Sequence, residues 1–150
     1  MKKKVLFVAT VLQGHVLLFH LPCMRWFQEQ GFEVHLCCRN DTDKEVTEVP
    51  YCDRNYDLPF ERSPFRAGNV QVYRQLKQII QENDYALIHC HTPMGSFLGR
   101  LAARKARKNG TRVVYSAHGF HFFKGAPFKN WLLYYPAEWL TAHWTDLLIT

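Results

Sequence analysis

The chain has 150 residues, of which 47% are hydrophobic, 15% aromatic and 21% charged, the balance of a single soluble globular domain. That composition excludes a disordered tail, a collagen-like repeat and a coiled coil. Nineteen Lys and Arg against 13 Asp and Glu give a formal net charge of +6, which favours anionic partners without choosing among nucleotides, phospholipid surfaces and nucleic acids.

Val5 to Ala9 is a short continuous apolar run, which predicts a strand buried on both faces. The polar turn Gln13-Gly14-His15 follows, then a helix with Pro22 in its first turn and Gly31 just past its stop. Glu33 to Cys38 is a second strand and Arg39 to Glu48 a polar loop. Tyr51 to Leu58 is irregular, with room for a short third strand, and Pro59 to Gly68 is a second loop containing Arg62-Ser63-Pro64. Asn69 is placed to cap a helix that carries Tyr73, Leu76 and Ile80 on one face, with Ile79 beside them. Tyr85 to His91 is another strand. Met94 to Asn109 is a helix with Phe97, Leu98, Leu101, Ala102 and Ala106 inward, closed by Gly110. Arg112 to Ala117 is a strand, Phe128 to His143 is helical despite Pro136, and Leu147 to Thr150 begins a further strand.

Strands alternating with helices predict a three-layer α/β domain with a mostly parallel sheet wrapped on both faces. Such domains seldom stop on a bare strand like Asp146 to Thr150. The expectation is therefore a natural chain that continues past an excised N-terminal domain; the alternative is a complete protein ending on an edge strand.

Cys23, Cys37, Cys38, Cys52 and Cys90 are odd in number and lack CxxC spacing, which argues against a disulfide framework or zinc ribbon and for reduced thiols. Lys2-Lys3-Lys4 followed by Val5 to Leu12 imitates a signal peptide, but the apolar run is short and has no small-residue cleavage site. A cytoplasmic protein, peripheral at most on a membrane, is expected.

In an open parallel sheet, ligands gather at the carboxyl ends of the strands. Thr10 to His15 falls there, with Gly14 allowing close backbone approach, although it is no GxGxxG fingerprint. His89 to Gly95 follows the fourth strand, Ser116 to His121 the fifth, and Arg62-Ser63-Pro64 can reach the same edge. His89 and His91, two apart, share a face on a strand, and His118 or His121 can join them. Three imidazoles suffice for zinc. No carboxylate or cysteine completes the usual spacing, so hydrogen bonding is the favoured reading and neither metal nor cofactor is expected. His118 ends a buried strand before a glycine, where a ligand-facing group belongs.

Two surface features remain. Arg100, Arg104, Arg107 and Lys108 form a basic stripe, read first as a solvated face. Nine of the 22 aromatic residues lie between Phe120 and Trp144, flanked by Lys124 and Lys129. Core helix and interfacial or acceptor surface both stand open for them.

Taken together, the chain resembles the N-terminal half of family 4 glycosyltransferases of the GT-B fold, and is most similar to bacterial capsule, exopolysaccharide and lipid-linked-oligosaccharide enzymes. The resemblance spans essentially the whole chain. It rests on Lys4 to Thr10 leading to Gly14-His15, on Gly31 to His35, on Arg62-Ser63-Pro64, on the HCHTPMG run from His89 to Gly95, on Ser116 to Gly125 with its AHGFHF core, and on Asp146 to Thr150. It implies transfer of a sugar, with retention of configuration and generally without a divalent metal, from a UDP-linked hexose or hexosamine to a polysaccharide or polyprenyl-diphosphate-linked saccharide. It also implies that residues 1–150 are the acceptor-side Rossmann-like domain, inactive alone. The nucleotide-sugar domain, with its paired glutamates, would lie outside this chain. Carried over, Gly14 and His15 would line the cleft near the donor diphosphate and His118 would contact the donor sugar as the catalytic-site histidine. His91, Thr92, Gly95 and His121 would lie beside the acceptor path. Ser116 stands where many relatives have threonine, and the first loop has one glycine where many have two.

Two readings from other classes compete. One is a self-contained flavodoxin-like module that binds a phosphorylated ligand without catalysis. The other, nucleic-acid binding, has only the net charge behind it and no reader motif, so no nucleic-acid partner is expected.

Overall fold

The structure is a computed structural model describing residues 1–150. Six strands, β1 (Lys4–Val11), β2 (Glu33–Arg39), β3 (Arg54–Asp57), β4 (Tyr85–His91), β5 (Arg112–Ser116) and β6 (Leu147–Ile149), form one sheet in the order β3-β2-β1-β4-β5-β6. Every neighbouring pair is parallel; Phe7 on β1, for example, stands opposite Leu36 on β2 and His89 on β4. The expected α/β architecture is therefore present.

Alternating residues of the central strands feed two cores on opposite faces. Leu6, Val8, Cys37 and Cys90 face one way, toward α3 (Gly68–Glu82) and α4 (Pro93–Lys108). Val5, Phe7, Leu36 and Cys38 face the other, toward α2 (Leu21–Glu29). The adjacent Cys37 and Cys38 thus point to opposite cores, and all five thiols are free. Each large apolar side chain buried in this way contributes about 1.5–3 kcal/mol.

Two local expectations are corrected. Asn69 does not cap α3: it is buried inside the first turn, where its amide donates to the carbonyls of Glu61 and Ser63 and its oxygen accepts from the Glu61 amide. It staples the preceding loop instead. The basic stripe on α4 is not solvated as a whole, because Arg100 is 1% exposed. A fifth helix, α5 (Phe128–Ala142), packs on α4 and brings Glu138 to 2.9 Å from the Arg100 guanidinium, which also lies 4.1 Å from the centre of the Tyr115 ring. Of the two readings left open for the aromatic segment, core helix does not fit α5: only Thr141 on it is buried, while Phe128 is 75% and Trp139 59% exposed.

The end of β1 carries the feature that shapes the site. Where a plain turn is expected, Leu12–Val16 winds as a π-turn and runs into the short helix α1 (Leu17–Phe19). Pro22 then sits in the first turn of α2 as expected, and Gly31 ends that helix at φ +84, a conformation glycine adopts freely.

Candidate functional site

The strand order reverses direction between β1 and β4, and an open cleft of about 510 Å³ lies at the carboxyl ends of these two strands. Thr10, Gly14 and His15 come from the β1 end, Thr92, Pro93 and Phe97 from the β4–α4 junction, and Arg62 and Pro64 from the long loop. His121, Tyr134, Ala137 and Glu138 form the opposite wall.

Thr92 is the hinge of this arrangement. It adopts φ +64, rare for a β-branched residue and a strain of order 1–3 kcal/mol that its surroundings must hold. Its hydroxyl accepts from the Thr10 amide at 3.0 Å and shares a 2.6 Å hydrogen bond with the Thr10 hydroxyl, so the two strand ends are locked together. Gly95 is buried one turn below and does not line the cleft. A Cβ there would lie 2.7 Å from Thr92 Oγ1 and 3.0 Å from the Ala9 backbone, so its absence lets α4 start directly against β1.

The backbone amides at the Gly14 turn are occupied. Gln13 and Gly14 donate to the Asp41 carboxylate at 2.6 and 3.0 Å. Burial alone would raise the Asp41 carboxyl, but these amide hydrogen bonds outweigh it and hold its pKa below the ordinary value.

Beside the cleft stands a group of imidazoles. His91, at the end of β4, is 2% exposed and neither of its ring nitrogens has a hydrogen-bond partner. His20, between α1 and α2, lies over it at 3.7 Å between ring centres. His15 and His20 share a 2.8 Å Nε2–Nε2 hydrogen bond, and the exposed His118 ring lies 4.9 Å from His15 and 5.8 Å from His91. Burial, reinforced by neighbouring histidines, lowers the pKa of His15, His20 and His91, that of His20 to about 3. His89 is pushed down to about 4 by burial and His118, and it is already engaged with the Ser116 hydroxyl at 2.8 Å.

Of the residues singled out from the sequence, Gly14, His15, Thr92 and His121 line the cleft, as does Arg62. His91 and His118 join His15 beside it, whereas His121 stands apart, its ring 4.5 Å from Tyr134. Two residues escaped sequence reasoning. Asp41 sits in a polar loop with nothing to mark it. His20 lies five residues after His15, about 140° away on a regular α-helix, and only the π-turn realigns the pair.

The strand order, the layers and the switch-point cleft define a doubly wound, Rossmann-like domain. The chain belongs to the glycosyl transferase 4-like family, whose profile matches residues 4–150. A Bacillus subtilis (strain 168) protein described as "Putative glycosyltransferase EpsD" is 54% identical over 151 residues, an alignment that covers 100% of this chain and 38% of that protein. The chain therefore spans well under half the length of this relative. Among solved structures, a UDP-N-acetylglucosamine 2-epimerase superposes with a TM-score of 0.66 at 13% identity, covering 99% of this chain and 41% of that one. Acinetobacter baumannii MurG superposes with a TM-score of 0.60 at 13% identity, over 97% of this chain and 40% of that one. At such identities these two show the shared fold alone.

Proposed function

We propose that this chain is the acceptor-side half of a retaining glycosyltransferase that moves a hexose or hexosamine from a UDP-sugar to a saccharide acceptor, either a growing polysaccharide or a polyprenyl-diphosphate-linked saccharide. The observation that carries the reading is the open cleft at the β1/β4 switch point, in a chain of the glycosyl transferase 4-like family. The likeness to a relative described as "Putative glycosyltransferase EpsD" supports sugar transfer, and the resemblance of the HCHTPMG and AHGFHF runs to exopolysaccharide enzymes supports the polysaccharide setting.

In this reading a second, nucleotide-holding domain closes over the cleft, and residues 1–150 alone do not turn over. Gly14 and His15 lie beside the donor diphosphate, with the Gly14 amide available once Asp41 yields. His118 offers an imidazole nitrogen to a donor-sugar hydroxyl. The wall of His121, Tyr134 and Ala137 faces Thr92 across the acceptor path, and the buried His91 and Gly95 support Thr92 from behind. Catalysis then rests on stabilising negative charge on the departing diphosphate while positive charge develops on the sugar ring.

The apolar outer face of α5, flanked by Lys124 and Lys129, supports a peripheral position on the cytoplasmic face of an anionic membrane. No helix is long and apolar enough to cross a membrane.

The test is an assay of the full-length protein with UDP-hexoses and UDP-N-acetylhexosamines against lipid-linked saccharides, the product anomer being read by NMR. Transfer with retention is expected. Tight UDP or phosphate binding by residues 1–150, with no transfer by the full-length protein, would replace this reading with a non-catalytic binding module.

A further inference from the structure

The geometry points to a metal site: we propose that His15, His20, His91 and His118 form a four-imidazole shell for one divalent transition-metal ion of the zinc class. This goes beyond sugar transfer and does not depend on it.

One ligand atom from each of the four rings lies within 4.8 Å of the others. A tetrahedral zinc with Zn–N bonds of about 2.0–2.1 Å sets its nitrogens roughly 3.3 Å apart. Closing the observed spread moves His15 and His118, which are not fully buried, inward by roughly 1.5 Å and turns the buried His20 and His91 rings, whose centres lie 3.7 Å apart, so that their in-plane lone pairs converge. The donor set is uniform imidazole, which suits zinc, copper and nickel and is foreign to calcium and magnesium.

His91 supplies the independent observation. A neutral imidazole carries one N–H donor and one acceptor nitrogen. In His91 both are buried and unpartnered, an arrangement that leaves about 1–3 kcal/mol of unmet desolvation for each polar group. Among the four rings the only hydrogen bond is that between His15 and His20, and no other residue bonds to any of them. His89, by contrast, satisfies itself on Ser116 and stays out of the shell. A cation at the centre gives one nitrogen of each ring an electron-pair acceptor, in His91 one of the two orphaned atoms, and it turns four crowded neutral rings into ligands.

The π-turn now has a purpose. By realigning His15 with His20 it puts two ligands from the β1 end opposite one from the β4 end and one from the loop after β5. Four protein ligands leave no vacancy for substrate, so the ion is structural: it clamps three segments of the sheet's carboxyl edge beside the cleft. Each ligand uses one ring nitrogen. His118 keeps its second nitrogen toward the gap, in a tautomer that the ion fixes.

The test uses the protein in its full natural length, without a polyhistidine tag. It is stripped with chelator and titrated with zinc chloride against a chromophoric competitor, and zinc-edge X-ray absorption reads the bound ion. One zinc per chain with an all-nitrogen, imidazole-rich shell is expected. The exposed ligand variant His118→Asn, which leaves the core intact, is expected to weaken binding by at least about tenfold, and His91→Asn to abolish it. His143→Asn, an exposed histidine elsewhere, should bind as wild type does. Failure of the wild-type protein to retain zinc through gel filtration would overturn the proposal. Equal zinc affinity in wild type and His118→Asn, or a shell with fewer than three imidazoles, would overturn it as well. Because the readout is metal content and coordination, a negative result leaves the glycosyltransferase reading standing, and loss of that reading leaves the metal result standing.

Discussion

The Asp41 carboxylate accepts the backbone amide of Gly14 at 3.0 Å and that of its neighbour Gln13 at 2.6 Å, so the turn after β1 is held by an anion from within the chain. The amides of such a turn attract phosphate for the same reason. Asp41 therefore stabilises the turn, and in the proposed function a diphosphate oxygen would compete with it for the same amides.

Asp41→Asn removes the charge from two hydrogen bonds, each worth about 1.5–3 kcal/mol when complete. A net loss of about 1–3 kcal/mol is expected because Asp41 is partly exposed. The pH dependence has a definite sign. The folded-state pKa lies below the ordinary 3.8, so the contribution is fully present above 3.8 and is lost as pH falls through the folded value. Denaturant melts of wild type and variant should differ at pH 7 and converge as pH drops below about 4. A gap that persists unchanged into stronger acid contradicts the assignment.

Gly95→Ala tests the close approach of α4 to β1. The added methyl meets Thr92 Oγ1 at 2.7 Å and the Ala9 backbone at 3.0 Å, and the backbone cannot step aside without breaking the Thr10–Thr92 lock. Overpacking of this kind costs about 1–3 kcal/mol. Thermal unfolding should show that loss together with weaker acceptor binding, since Thr92 lines the cleft.

The ion pair between the buried Arg100 and the half-buried Glu138 ties α4 to α5. Glu138→Ala leaves a guanidinium with the Ser96 carbonyl and hydroxyl and the Tyr115 ring as its remaining partners. A loss of about 3 kcal/mol is expected from the uncompensated charge. The double variant Arg100→Met with Glu138→Leu should recover most of it in chemical denaturation, because apolar replacements carry no desolvation penalty.

How much of this was legible depends on the kind of signal. The buried strands announced themselves: Val5 to Ala9 is an apolar run of strand length that β1 extends by one residue before and two after, and the expected strand Tyr85 to His91 coincides with β4. Arg62 and His121 were placed at the cleft because topology sends loops after parallel strands to one edge. The misses share a different cause. Arg100 looks solvated because the side chain that buries it, Glu138, is 38 residues away on another helix. Asn69 looks like a cap because capping residues and loop staples have the same chemistry. His20 was hidden by a π-turn that no helical periodicity foretells, and so the histidine set drawn from spacing included His89 in place of His15 and His20.

The outer face of α5 gives a separate prediction. Phe128 and Trp139 are exposed apolar side chains on a helix of which only Thr141 is buried. If this face meets lipid, Phe128→Ser with Trp139→Ser should lower co-sedimentation with anionic vesicles at low salt by at least about tenfold, since each aromatic carries about 1.5–3 kcal/mol of transfer energy. Unchanged vesicle binding assigns the attraction elsewhere.

The most direct test of the acceptor-side assignment is a steady-state comparison of full-length wild type with Ala137→Trp, in which the indole fills the cleft from the α5 wall while the strand-end loops are left alone. The account predicts that KM for the saccharide acceptor rises at least about tenfold while KM for the nucleotide sugar stays within about twofold. A rise confined to the nucleotide-sugar KM, with acceptor saturation unchanged, would contradict it.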